Sequence, residues 1–154
     1  MEMADLITPD RVFARIKATS KKQVLQELAR RATEWTGLDE RHLFDILLER
    51  ERLGSTGVGS GIAIPHGRVD IPHIFGLFAK LDQPVDFDAI DEQPVDLIFL
   101  LLAPVAAGAD HLKALARVSR LLRDRAVCDK LRGAERPDAI YALLTQDAPS
   151  SHAA

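Results

Sequence analysis

The chain has 154 residues, a formal net charge of −3 at pH 7, 47% hydrophobic residues and 28% charged residues, a composition typical of one globular domain. Its pI near 5.9 argues against the basic surface that binders of nucleic acids or anionic membranes need. The N-terminus has no secretory signal pattern, the longest apolar run is too short to span a bilayer, and one cysteine excludes an internal disulfide. We therefore expect a cytoplasmic protein with no membrane insertion and no nucleic-acid partner.

Hydrophobic periodicity and capping residues predict a chain of mixed helices and strands. Ser20 is a typical N-cap before KKQVLQELARRATEWT, and Gly37 is a typical helix stop. Asp39 caps a second predicted helix that ends near Leu53. The other predicted segments are, in chain order, a short helix TPDRVF, an edge strand ARIKAT, strands GIAIP, IFGLFAKL, PVDF and VDLIFLLLA, and helices near Asp110, at AVCDKLRG and at PDAIYALLT.

These elements predict an α/β fold, a single domain in which helices sandwich a mixed sheet of four to five strands. The segment VDLIFLLLA is apolar almost without interruption, which predicts a central strand covered on both faces. The last residues, 147–154, have no apolar periodicity, so we expect a flexible C-terminal tail there.

The segment LGSTGVGSGIAIPHG places Gly54, Gly57, Gly59 and Gly61 within eight residues. Glycines allow positive φ angles and let neighbouring N–H groups point together at an anion. The segment lacks the lysine of a phosphate-binding P-loop, the dinucleotide fingerprint and the nucleophile elbow. The residues alone leave two interpretations open, an anion-binding loop and a mobile surface loop.

His66 is the strongest candidate for chemistry. It follows Pro65, whose ring fixes its own φ near about −65° and biases Ile64 towards an extended conformation. A stiff backbone therefore presents the imidazole at a strand end. An imidazole is neutral enough to attack near pH 7 and able to leave again, which suits reversible phosphoryl transfer. A hydrogen-bonded structural histidine is the alternative interpretation.

Two other residues are candidates for the same site. His111 falls in the first turn of a predicted helix, where the amide dipoles favour a bound anion. It would open on the same sheet edge as His66 if the strands before the two histidines lie side by side. Arg50 would supply the positive charge that phosphoryl transfer requires. The ordinary alternatives are an exposed first-turn histidine and a surface ion pair between Arg50 and a neighbouring glutamate.

Two other classes of protein are alternatives to a phosphoryl-transfer protein. A metal-dependent hydrolase would use His66, His73 and His111 as ligands, with Asp70 or Asp110 as the carboxylate. The sequence has no HExxH motif or comparable pair, so we expect no metal. A binding module in which His66 is never modified is the second competitor.

Three segments together resemble a known family: ERERLGSTGVGSGIAIPHG, FDAIDEQPVDLIFLLLAP and HLKALARVSRLL. In order and spacing they are similar to the IIA components of the bacterial phosphoenolpyruvate-dependent sugar phosphotransferase system, of the fructose and mannitol type. The nitrogen-regulatory members are the most similar. The resemblance runs through nearly the whole chain and implies a type-2 IIA domain over residues 7–146.

The resemblance also implies roles for the candidate residues. His66 would be the phosphoryl acceptor, modified on Nε2, His111 the second active-site histidine, and Arg50 the arginine of the pocket. No metal, nucleotide or other cofactor would be needed for the transfer. The wall of the phosphate pocket would be formed by Gly54, Ser55, Thr56, Gly57, Gly59 and Gly61.

The partner implied by the resemblance is a small phosphohistidine carrier, HPr or its nitrogen-branch relative NPr. Sugar-specific members pass the phosphoryl group on to a cysteine of a IIB domain, whereas nitrogen-regulatory members control partners such as potassium transport proteins and sensor kinases. The lone Cys128 lies in a helical segment without a phosphate-binding loop, which favours the regulator. The choice between monomer and homodimer stays open.

Overall fold

The computed structural model describes residues 1–146, and the tail expected at 147–154 lies outside these described residues. Five helices are present within them: α1 (Lys21–Thr36), α2 (Glu40–Leu53), α3 (Ala109–Leu122), α4 (Arg125–Gly133) and α5 (Pro137–Thr145). The six strands are β1 (Val12–Ile16), β2 (Gly57–Gly59), β3 (Ile62–Ala63), β4 (His66–Val69), β5 (Phe75–Val85) and β6 (Val95–Pro104).

All six strands form one mixed sheet in the order β1-β5-β6-β3-β2, with β4 also paired to β6. Strands β1 and β5 are parallel, β5 and β6 are antiparallel, and both β3 and β4 run parallel to β6. Strands β3 and β4 therefore follow one another along the same edge of β6. This arrangement sets His66, the first residue of β4, beside Leu101.

Strand β6 is the centre of the fold, because its residues alternate between two apolar cores. Side chains on successive residues of a strand point to opposite faces of the sheet. Ile98, Leu100 and Leu102 pack with the core that includes α1 and α2, whereas Leu97, Phe99 and Leu101 pack with the core that includes α3, α4 and α5. The α/β sandwich with a mixed sheet, predicted from sequence, is confirmed.

The two N-terminal helices have the predicted bounds and caps. The Ser20 side chain accepts a hydrogen bond from the Gln23 N–H, and Gly37 ends α1 in the left-handed region at φ 69°. The Asp39 side chain accepts from the His42 N–H at the start of α2. No helix within residues 1–146 combines the length and the apolar character needed to cross a bilayer.

The prediction of four to five strands was wrong, since the sheet has six. Strands β2 and β4 have only three and four residues, which is too short for an alternating pattern to be recognised. The segment PVDF is not a separate strand, because β5 continues through Val85 with a register shift after Lys80. The opening helix TPDRVF is a single 3-10 turn, Pro9–Arg11.

Gly76 provides a test of how closely the sheet is packed. A Cβ atom at this position would lie 2.6 Å from the Leu6 carbonyl oxygen and 2.8 Å from the Phe99 ring. We expect Gly76→Ala to lower the free energy of unfolding by about 1–3 kcal/mol, because the core has to move apart. Gly133→Ala is the matched control, since nothing lies within 4 Å of its added Cβ. Urea denaturation that shows equal stabilities for both variants would contradict this packing.

Candidate functional site

A short extended segment between β3 and β4 positions the central histidine. The Ile64 N–H donates to the Thr56 carbonyl at 3.0 Å, and the Pro65 carbonyl accepts from the Leu101 N–H at 2.9 Å. Pro65 has no N–H of its own to satisfy and keeps this stretch stiff. The backbone is therefore held from both sides immediately before His66.

The contacts of His66 identify which of its ring nitrogens carries the proton. Its Nδ1 lies 2.8 Å from the Ile64 carbonyl oxygen. A carbonyl can only accept, so Nδ1 carries the proton and Nε2 keeps its lone pair. The Arg50 Nε–H donates to that Nε2 at 3.2 Å. The half-buried ring of His66 thus presents an unprotonated Nε2 to a guanidinium group.

His111 is not the exposed first-turn residue of the ordinary alternative. It lies in the first turn of α3, only 6% of it is exposed, and its ring centroid is 5.7 Å from that of His66. Its Nε2 is buried and has no hydrogen-bond partner among the described residues. Leaving a buried polar atom unpaired costs about 1–3 kcal/mol. Such an atom beside a neutral imidazole is a feature of a site that is completed by a ligand or by a transferred group.

Both imidazoles are kept neutral near pH 7. Burial lowers the pKa of His66 below its ordinary value of 6.5, and the positive charge of Arg50 lowers it further, while the hydrogen bond to Ile64 and the charge of Glu51 oppose the shift. Burial also lowers the pKa of His111, followed by the effects of His66 and Arg68. A neutral imidazole is the nucleophilic form.

The first part of the glycine-rich loop borders this site. The Gly54 carbonyl accepts from Arg50 Nη1 at 2.9 Å, which holds the guanidinium beside the histidine. The Ser55 hydroxyl donates to the Phe87 carbonyl and accepts from the Gly57 N–H. These bonds fix the chain where it leaves α2.

A buried network behind the loop was missed by the sequence reasoning. Both the N–H and the hydroxyl of Thr56 donate to the carboxylate of Glu51, which also pairs with Lys21 at 2.9 Å. Glu51 is 7% exposed. Glu51 follows Leu43 and Leu47 along the same buried face of α2, each one helical turn further on. A carboxylate at a position where the apolar pattern expects a buried residue is the sequence signal that indicates such a network.

Gly59 and Gly61 lie away from the histidine pair, contrary to the predicted pocket wall. Gly59 ends β2 and Gly61 lies in the turn that leads to β3. The first residue of β3, Ile62, pairs with Leu97, whereas His66 pairs with Leu101. Four residues of strand correspond to roughly 13 Å. These two glycines instead face the side chains of Asp91, Asp96 and Arg132.

The arrangement expected for a metal-dependent hydrolase is not assembled. Within residues 1–146, no three His, Cys, Asp or Glu side chains are grouped so that they could hold a metal ion. His73 borders a surface pocket with Pro72 and Asp110, apart from the ring pair of His66 and His111.

A mixed sheet that holds a neutral histidine next to a buried second histidine and an arginine is suited to carrying a phosphoryl group. The model of the family "Phosphoenolpyruvate-dependent sugar phosphotransferase system, EIIA 2" matches residues 5–147. The chain belongs to this family, as the sequence resemblance indicated.

Individual relatives agree with this assignment. The chain is 57% identical to the "Nitrogen regulatory protein" of Bradyrhizobium diazoefficiens, over 94% of this chain and 95% of the relative. It is 35% identical to the "PTS system fructose-specific EIIA component" of Haloferax volcanii, over 95% and 98%. The crystal structure of Nitrogen Regulatory Protein IIA-Ntr from Neisseria meningitidis superposes with a TM-score of 0.87 at 33% identity, covering 93% of this chain and 98% of that one.

The lowered pKa values of the two histidines predict how stability depends on pH. Between pH 6.5 and the lower pKa of the folded state, the unfolded chain binds more protons than the folded chain. The free energy of unfolding should therefore fall as the pH is lowered through this window. His111→Gln should make this fall shallower, because Gln cannot titrate. His73→Gln, at an exposed histidine, is the control. Urea titrations between pH 7.5 and 5 measure the effect, and identical slopes for His111→Gln and the unmodified chain would contradict it.

Proposed function

We propose that this chain is a phosphoryl-accepting regulator of the nitrogen branch of the phosphotransferase system. It accepts a phosphoryl group on His66 from the phosphohistidine of a small carrier protein, NPr or HPr, and its phosphorylation state decides which partners it binds. The observation that carries the proposal is the pair of contacts on His66, with Ile64 on Nδ1 and Arg50 on Nε2.

The transfer balances without an added proton or metal. The lone pair on His66 Nε2 attacks phosphorus, the phosphorus–nitrogen bond to the carrier's histidine breaks, and its electron pair returns to the carrier's ring nitrogen. The proton on His66 Nδ1 stays on the ring, where the Ile64 carbonyl accepts its hydrogen bond. The acceptor is therefore in the correct protonation state before the carrier arrives.

Arg50 and His111 stabilise the group in transit. A phosphoryl group in a loose transition state spreads its charge over three oxygens, which need donors around them. The guanidinium of Arg50, now 3.2 Å from Nε2, moves onto one of these oxygens. The buried Nε2 of His111, which has no partner among the described residues, gains one when a phosphoryl oxygen lies next to the ring pair.

Exposed apolar side chains next to the site are the proposed contact for the carrier. Leu53 is 80% exposed and follows Arg50 by three residues, and Leu112 is 67% exposed and follows His111. Val105 is 64% exposed, and its carbonyl accepts from Arg68, two residues beyond His66. Exposed apolar side chains around a reactive centre are typical of a protein-docking surface.

The nitrogen-regulatory role is favoured over sugar transport by identity, 57% to the Bradyrhizobium protein against 35% to the fructose-specific one. Cys128 is not a phosphoryl acceptor in this proposal, because its thiol is buried, its Sγ donates to the Leu122 carbonyl, and burial raises its pKa. A free thiol fits a reducing cytoplasm. Potassium transport proteins and sensor kinases are the first regulatory partners to test.

Single substitutions at the site should separate the three roles. The assay incubates each variant with labelled phosphoenolpyruvate, enzyme I and the carrier, and measures the label that the chain accepts. His66→Ala should accept no labelled phosphoryl group, because the nucleophile is absent. His111→Ala and Arg50→Ala should slow acceptance on the order of 100-fold, the usual loss for one transition-state donor. Arg52→Ala is the matched control, since Arg52 only pairs with Glu49 at the surface. Label incorporation that is unchanged in His111→Ala or Arg50→Ala would remove that residue from the site, and label retained in His66→Ala would refute the proposal.

The docking surface can be tested separately from the chemistry. Leu112→Asp should slow phosphoryl transfer from the carrier about 10-fold or more, since it puts a charge into an apolar contact. It should leave the rate with phosphoramidate, a small donor that needs no docking, unchanged. Val58→Asp changes an apolar residue that is 53% exposed on β2, away from the histidines, and is the control. Equal loss with both donors would place the defect in the site and contradict the docking role.

A further inference from the structure

A second concave site lies on another part of the molecule. It is a cleft of about 710 Å³ between the turn that joins β2 to β3 and the helices α3 and α4. Neither histidine of the first site, nor Arg50, lines it. Its volume is within the range of about 300–1,000 Å³ that is usual for small-molecule sites.

The cleft has an apolar floor and a cationic rim. Ile62, Ile64, Leu122 and Cys128 are buried apolar residues that form the floor. The rim carries the exposed arginines Arg120, Arg123 and Arg125.

These rim arginines have no carboxylate partner in the structure. None of the three takes part in an ion pair within residues 1–146. Asp124, between two of them in sequence, is used to cap α4 through the N–H groups of Ala126 and Val127. Asp129 is the one carboxylate among the described lining residues. The rim therefore concentrates positive charge in a chain whose net charge is −3.

A fourth arginine holds one wall of the cleft in place. Arg132 donates to both carboxylate oxygens of Asp96 at 2.9 Å and to the Ser60 carbonyl at 2.8 Å. Gly61, at φ 81°, allows this approach, since a Cβ there would lie 2.5 Å from the Arg132 Nη2 atom. The second half of the glycine-rich loop thus shapes this cleft. Because Asp96 already neutralises the charge of Arg132, the other three arginines are the ones available to bind an anion.

We propose that this cleft binds a small phosphate ester with an apolar or aromatic body. Guanidinium groups bind phosphate oxygens through paired N–H donors. The three rim arginines offer more donors than the single lining carboxylate, Asp129, can accept from. The body of the ester lies on the floor formed by Ile62, Ile64 and Leu122. The charge and the apolar surface are both required, which separates this site from a general basic patch.

The test uses 1-naphthyl phosphate as the probe. Two control compounds each carry half of it: 1-naphthol has the aromatic body without the phosphate, and inorganic phosphate has the charge without the aromatic body. Calorimetry on the full chain should show saturable 1:1 binding of the ester, with each half-probe at least about 10-fold weaker. Backbone amide NMR shifts should map to Ile62, Ile64 and α4 and leave His111 unmoved.

The double variant Arg120→Gln/Arg123→Gln should weaken ester binding at least about 10-fold. The control is Arg15→Gln/Arg41→Gln, which removes the same charge at two exposed arginines whose carboxylate partners are Asp82 and Asp45. All four side chains are at the surface, so far-UV circular dichroism should show that both variants stay folded.

Three results would overturn the proposal. Equal weakening by both double variants would mean that net charge alone attracts the probe. Amide shifts centred on His66 and His111 would mean that the ester occupies the phosphoryl site. A cleft that binds an acidic peptide and not the ester would be a protein-docking surface. None of these results affects phosphoryl acceptance by His66, so the two proposals fail independently.

Discussion

The hydrogen bond between the Ile64 carbonyl and Nδ1 of His66 is the constraint on which the candidate site depends. It settles the tautomer, and with it the nitrogen that faces Arg50. The carbonyl can play this part because Pro65 keeps the chain extended between β3 and β4, and because Ile64 is itself tied to Thr56. The break between two short strands on one edge of β6 is therefore a positioning device. A continuous strand would use the Ile64 carbonyl in the sheet.

Burial and neighbouring charges act on the pKa of His66 in opposite directions. Burial and the charge of Arg50 lower the pKa of His66 and keep it neutral, while Glu51 opposes the shift. Glu51 is held by Lys21 and Thr56, so one buried network fixes both the loop and a charge near the histidine. Ile64 also contributes to the floor of the arginine-lined cleft. Ile64, which orients the ring of His66, thus also lines the second proposed site.

Residues with strong local signals could be predicted from the sequence, and residues whose roles arise from tertiary contacts could not. Ser20 and Asp39 define helix starts through their own side chains, so the bounds of α1 and α2 were predicted correctly. The apolar run of β6 likewise predicted a strand buried on both faces. The short strand β4 is held by pairing with β6, which no local pattern reveals.

The candidate site divides in the same way. His66 stood out by its place after Pro65, whereas Arg50 was one candidate whose ordinary alternative was a surface ion pair; the structure brings the two side chains into contact. Gly59 and Gly61 share the loop's composition with Gly54, yet they face Asp91, Asp96 and Arg132, because the β2–β3 turn reverses the chain.

The most direct test of the proposed phosphoryl transfer is to find which ring nitrogen of His66 carries the phosphoryl group. After transfer from the carrier, ³¹P and long-range ¹H–¹⁵N NMR identify that nitrogen. We predict phosphorylation on Nε2 with the proton on Nδ1, and a phosphoryl group on Nδ1 would contradict the tautomer assigned to His66.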